Sequence, residues 1–220
     1  MATQPVGQSA ASGATEPLPV GPQPGASGGE ASPDAVPPAA AGDAAGVTRS
    51  LSSALAALRQ HDLAAAARAF DAAGMAAGED PELALRVERW RLLLDYTRQL
   101  ADHLPQAIGS ANEGRDYDIG DRTIAIIEIG STTFAYKDAG QIRRGPRAGL
   151  PRPIERAILR GWFDGDPRPA NDILLGVHRL LDEAPDLARV RADWQAAAEN
   201  EPAATAILPL LDDPALAAAD

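Results

Sequence analysis

The sequence predicts an α+β fold that is mainly α. Three observations carry that prediction. Apolar residues recur at three- and four-residue steps on both sides of the chain's centre. Between them, residues 117–144 form a β-branched stretch cut at short intervals by turns containing Gly. The first 46 residues are dominated by Pro, Ala, Gly and Ser. At 220 residues there is room for one compact domain and a tail.

Residues 1–47 are read as a disordered tail or spacer. They hold eight prolines and no aromatic residue. So little apolar area cannot offset about 1–2 kcal/mol of backbone entropy per ordered residue. The prolines are scattered and lack flanking basic residues, which favours a spacer over a polyproline ligand.

Order is expected from about Thr48. Leu51, Leu55 and Leu58 recur at helical spacing, and Leu63, Ala67 and Phe70 repeat the pattern after the break Gln60-His61-Asp62. Asp62 is placed to cap the second helix, and so short a connection makes the two helices an antiparallel hairpin. Asp80-Pro81 announces a third, long helix, with Asp80 as N-cap and Pro81 at the first helical position. Its stripe is Leu83, Val87, Trp90, Leu94 and Ala101. Pro105 is expected to kink or end it, with Gln106 to Asn112 making a further turn.

A small antiparallel β-meander of three to four strands follows, read as Tyr117–Ile119, Thr123–Ile129, Thr132–Lys137 and Gln141–Arg144. Alternation puts Ile124, Ile126 and Glu128 on one face and Ala125, Ile127 and Ile129 on the other. Both faces of that strand are mostly apolar, so it is expected to be covered on both sides. Helices are then predicted over Pro153–Phe163, Asn171–Asp182, Pro185–Asn200 and Thr205–Leu211, with 213–220 fraying. Segments 48–114 and 115–212 are expected to pack as one domain.

Composition narrows the chemistry. The formal charge is −11, which argues against nucleic acid or an anionic membrane as partner of the whole chain. No cysteine is present, so there is no disulfide or thiolate chemistry. No apolar run reaches the roughly 20 residues that span a bilayer. Neither is a signal peptide visible, which makes the cytoplasm the default compartment unless a misassigned start hides a leader. His61, His103 and His178 stand apart without metal-ligand spacing. Asp116, Asp118 and Asp121 lack the Gly and Glu offsets of a calcium loop. No nucleophile elbow, phosphate loop, dinucleotide fingerprint or zinc motif occurs, so neither catalytic residues nor a cofactor can be assigned.

The sharpest charge feature is the run Arg143, Arg144, Arg147, Arg152, Arg156 and Arg160, relieved only by Glu155. Arg152, Arg156 and Arg160 are four residues apart and share a helical face. These six form a candidate anion-binding surface, because guanidinium forks match phosphate and carboxylate geometry. The competing account is internal pairing with the many carboxylates of an acidic chain. Carboxylates within bonding distance would favour pairing, and an open basic groove would favour binding.

The paired Ala-rich helices of HDLAAAARAFDAA resemble a single tetratricopeptide unit, although no repeat follows at the required period. The order is hairpin, Trp-bearing helix PELALRVERWRLLLDYTRQL, meander, junction GLPRPIERAIL and ADWQAAA. It is similar to uncharacterised bacterial proteins, abundant in planctomycetes, that join such a hairpin to a short β-meander. That resemblance supports the architecture and implies no activity or site. The function expected is a non-enzymatic interaction or scaffold module with another protein as partner. The alternatives are an anion or nucleic-acid binder using the arginines, or a small enzyme without a recognisable motif.

Overall fold

Helix α1 (Ala44–Arg59) starts ahead of the expected Thr48 because Asp43 caps it. The Asp43 carboxylate accepts from the Gly46 N–H at 2.8 Å, and Val47 is already buried. The structure, a computed structural model, describes residues 42–111 and 113–218. The expected tail therefore lies outside the described residues up to 41, while 42–47 belong to the fold. Leu51, Leu55 and Leu58 form the buried face of α1, as their spacing requires. The chain turns at His61, which takes a positive φ of 59°. Asp62 then caps α2 (Leu63–Ala77), accepting from the Ala65 N–H at 2.8 Å.

Helix α3 (Pro81–Ser110) opens as predicted, with Asp80 accepting from the Glu82 and Leu83 N–H groups. It does not end at Pro105. Ala107 and Ile108 beyond the proline are buried, and their burial offsets the lost backbone bond. The stripe also differs at its far end, where Thr97 and Leu100 are buried and Ala101 is exposed.

The meander forms as expected. Strands β1 (Asp116–Ile119), β2 (Arg122–Ile129), β3 (Thr133–Asp138) and β4 (Gln141–Pro146) pair antiparallel in chain order. One register detail changes the faces. A bulge between Ile126 and Glu128 inserts Ile127 as an extra residue. Alternation shifts, and Ile129 comes opposite buried Phe134 and packs on the core with Ile124 and Ile126. Ile127 is left on the outer face with Ala125 and Glu128. That face is open rather than covered, since the helices lie on the Tyr117, Ile124, Ile126 and Phe134 side, where α4 (Arg152–Phe163) meets β1.

Helices α5 (Pro169–Leu180), α6 (Leu187–Ala198) and α7 (Pro202–Ile207) complete the helical layer. Helix α3 touches α4, α5 and α7, and buried residues from both halves of the chain join one core cluster. Helices α5 and α6 approach closely at Gly176, where any Cβ would overlap the Trp194 indole. That indole donates to the Ile173 carbonyl at 3.1 Å, which satisfies its N–H inside the core.

Of the stretch expected to fray, 213–218 belong to the fold and 219–220 lie outside the described residues. A 3-10 turn (Leu208–Asp212) leads into a short helix α8 (Pro214–Ala217) that packs on α1, with Ala215 and Leu216 buried. Asp213 caps α8 and receives Arg86 bidentately, at 2.7 Å from Nε and 2.6 Å from Nη2. Trp90 Nε1 donates to the same carboxylate at 3.0 Å, and Arg86 Nη1 donates to Thr48 Oγ1. Burial alone would raise the Asp213 carboxyl. The Arg86, Trp90 and Ala215 hydrogen bonds outweigh it and hold the group below its ordinary range.

Removing one partner of a buried pair leaves the other charge uncompensated. Asp213→Ala is therefore expected to cost on the order of 3–5 kcal/mol, read from urea midpoints. Arg91→Ala, which breaks the exposed contacts to Asp71 and Glu88, should cost less than about 1 kcal/mol. Similar losses for the two variants would refute the clasp.

Candidate interaction surface

The arginine run does not converge on one surface. Arg152 and Arg156 lie on α4 over the end of α5, and both pair with Asp182: Arg152 at 3.3 Å, and Arg156 closer still. Arg152 also lies 3.5 Å from Glu155 and donates to the His178 carbonyl at 2.9 Å. The His178 ring is fully buried, with Nε2 facing Glu155 Oε2 at 3.2 Å and Nδ1 facing Arg156 Nε at 3.4 Å. An Nδ1 that accepts from a guanidinium carries no proton, so the ring is neutral. Burial pushes its pKa down, and the two arginines add to the push against Glu155. With two guanidiniums, two carboxylates and a neutral imidazole, the network balances to zero charge. It has nothing left for a ligand anion.

The other four arginines go elsewhere. Arg147 donates to the Pro105 carbonyl at 2.9 Å, tying the chain after β4 to α3. Arg143 Nε stands 3.9 Å from Asp138, a buried carboxylate that already accepts from Arg122 at 2.9 Å. Arg144 is exposed on β4 and has no ion-pair partner among the described residues. Arg160 is exposed on α4 and lines a separate groove. Pairing thus accounts for Arg152 and Arg156, whereas Arg144 stays open.

That groove runs between α6 and the loop joining α4 to α5, with a volume of about 690 Å³. Its floor includes Phe163 and Leu175, and its walls carry three carboxylates (Asp164, Asp172, Asp193) among three guanidiniums (Arg160, Arg168, Arg189). Half of these six groups are already paired. Asp193 is held by Arg179 at 2.8 Å and Arg189 at 3.4 Å, and Arg168 by Asp166 at 2.6 Å. Burial, then the Asp193 carboxylate, push the Asp172 carboxyl above its ordinary range; Arg160 opposes them and Asp164 adds to them. Among the described residues no group of three His, Asp or Glu side chains is placed to hold a metal ion.

The sheet offers a different kind of surface. On its outer face Ile127 is 36% exposed and Ile142 is 56% exposed. Register aligns Ala125, Lys137 and Ile142 across three strands, with Glu128, Ala135 and Arg144 in the neighbouring row. All six residues of β4 are exposed, and among the described residues no strand pairs with its outer edge. The mostly apolar alternation of β2 predicts a strand covered on both sides, and its outer face is instead open. The bulge that opens the face carries no Gly and leaves no clear trace in the alternation.

Comparison with protein families, with curated proteins and with solved structures finds no match to the chain. Among the described residues no helix is long and apolar enough to cross a membrane. The fold is a mainly helical α+β domain carrying a four-stranded antiparallel sheet open on one face.

The groove generates a prediction with a definite sign. A carboxyl raised in the folded state contributes stability that is complete below about pH 4 and lost as pH rises through the folded value. Asp172→Asn escapes that loss. Its urea midpoint should exceed the parent's at pH 7, with the gap shrinking toward pH 4. A pH-independent gap, or a lower midpoint at pH 7, would contradict the charge account of the groove.

Proposed function

We propose that this chain is a non-enzymatic protein-interaction module whose contact surface is the outer face and free edge of the sheet. The observation that carries the reading is the pair of isoleucines, Ile127 and Ile142, held in the open on a sheet whose β4 edge no described strand pairs. Exposed single apolar residues are ordinary. Two on one sheet face next to an unsatisfied backbone edge mark a place where another chain gains by covering both.

The rival surfaces give less. In the groove between α2 and α3, Met75 is 78% exposed, but the charges beside it are spent on Arg91 with Asp71 and Glu88. In the groove beside α6 three carboxylates stand among three guanidiniums, which leaves no excess of either sign to select a ligand. An enzyme would need a catalytic group placed against a substrate pocket, and neither groove supplies a nucleophile with a neighbouring base.

The test places a photoreactive amino acid at position 127 in the full chain, with position 75 as the control. A discrete crosslinked species from position 127, absent from position 75 and lost on adding Ile142→Asp, is expected. Equal labelling from both positions, or labelling indifferent to Ile142→Asp, would sink the reading.

A further inference from the structure

We infer that the free edge of β4 takes an extended acidic segment of another protein as a fifth strand. The inference rests on the interaction reading above and names its partner class. It begins with the backbone. Ala139-Gly140 forms a two-residue hairpin loop, both residues at positive φ, that closes Asp138 against Gln141. At the far end the Arg147 N–H donates to the Thr132 carbonyl at 2.9 Å. Antiparallel ladders alternate bonded and non-bonded pairs, so Gln141, Arg143 and Gly145 bond inward to β3. Ile142, Arg144 and Pro146 therefore turn their backbone groups outward. Pro146, which has no N–H, stands at an outward position, where an edge strand tolerates it. The edge thus offers two N–H donors and three carbonyls to an added strand.

The side chains around that edge select what is added. Ile142 and Arg144 lie on the outer face with Lys137, and Arg144 is unpaired among the described residues. On the helix side, a hollow of about 370 Å³ opens beside β4, lined by Phe134, Tyr136, Arg143, Leu150 and Pro151. An incoming strand alternating carboxylates with apolar side chains would set one carboxylate opposite Arg144 and the next opposite Ile142, with Lys137 one strand further in. Its apolar side chains would fall toward the hollow. Arginine and proline on an edge also deter aggregation, but protection explains neither the hollow nor an isoleucine left 56% exposed.

Other occupants fit worse. Two copies of β4 paired about a two-fold axis through the middle of the strand would set either Arg143 or Arg144 opposite the same residue of the second copy, and like charges directly opposed destabilise a pair. A nucleic acid strand needs exposed aromatic faces to stack on, yet Phe134 is buried and Tyr136 half-buried.

The experiment titrates the full chain into a fluorescein-labelled eight-residue peptide alternating glutamate and valine, read by anisotropy at low salt. Binding is expected, and it should weaken about tenfold or more with Ile142→Pro, which removes an outward donor. Arg144→Glu should weaken it comparably. The same peptide N-methylated at alternate residues should not bind, a control that leaves the protein untouched. Equal binding of the N-methylated peptide would overturn the inference. So would an oligonucleotide that binds as tightly with the same Arg144 dependence, or a dimer of the free chain that dissociates with Ile142→Pro. Should the peptide fail while crosslinking from position 127 persists, the strand-addition inference falls and the interaction reading stands. If both fail, both fall.

Discussion

Four antiparallel strands in chain order satisfy one another's backbone only between their outer edges, and that constraint shapes what this protein presents. The β1 edge lies on the side where α4 packs. Among the described residues no helix packs comparably on the β4 edge. Helices cover one face, where Tyr117, Ile124, Ile126 and Phe134 are buried, and the bulge at Ile127 decides which isoleucines join them. Ile129 is brought in and Ile127 left out. One inserted residue thereby sets the composition of both faces.

Charge follows a complementary rule. In a chain of net charge −11, guanidiniums that come near the core find carboxylates and are consumed. Arg86 meets Asp213, Arg179 meets Asp193, and Arg152 and Arg156 share Asp182. Such buried pairs contribute little net stability, because desolvation offsets most of the attraction, but losing one partner is expensive. Their effect is to tie together helices that are separate in sequence. The Asp213 clasp locks the last helix to α1 and α3, so the final residues of the fold secure its first.

Much of this architecture was legible in the sequence, and the reasons are local. Asp62, Asp80 and Pro81 are capping signals that act within three residues, so they read directly. The strands also read closely, because Gly and Asp mark their turns. What escaped depends on contacts distant in sequence. The persistence of α3 past Pro105 rests on Ala107 and Ile108 finding a core. The fate of Arg152 and Arg156 rests on Asp182, 26 or more residues away. Asp213-Pro214 did carry a signal, since it repeats the Asp80-Pro81 pattern, and it was masked by the alanines that follow. For the candidate surface, the terminal position of β4 in a meander made it an edge from the start, but the open face had to come from the bulge.

The most direct measurement is amide hydrogen exchange along β4. In the free chain Arg143 and Gly145 should be protected by their bonds to β3, while Ile142 and Arg144 exchange freely. On adding the acidic peptide, Ile142 and Arg144 should slow and their neighbours change little. Uniform protection across β4 in the free chain, or no gain at Ile142 and Arg144 on saturation with peptide, would contradict an edge that recruits a strand.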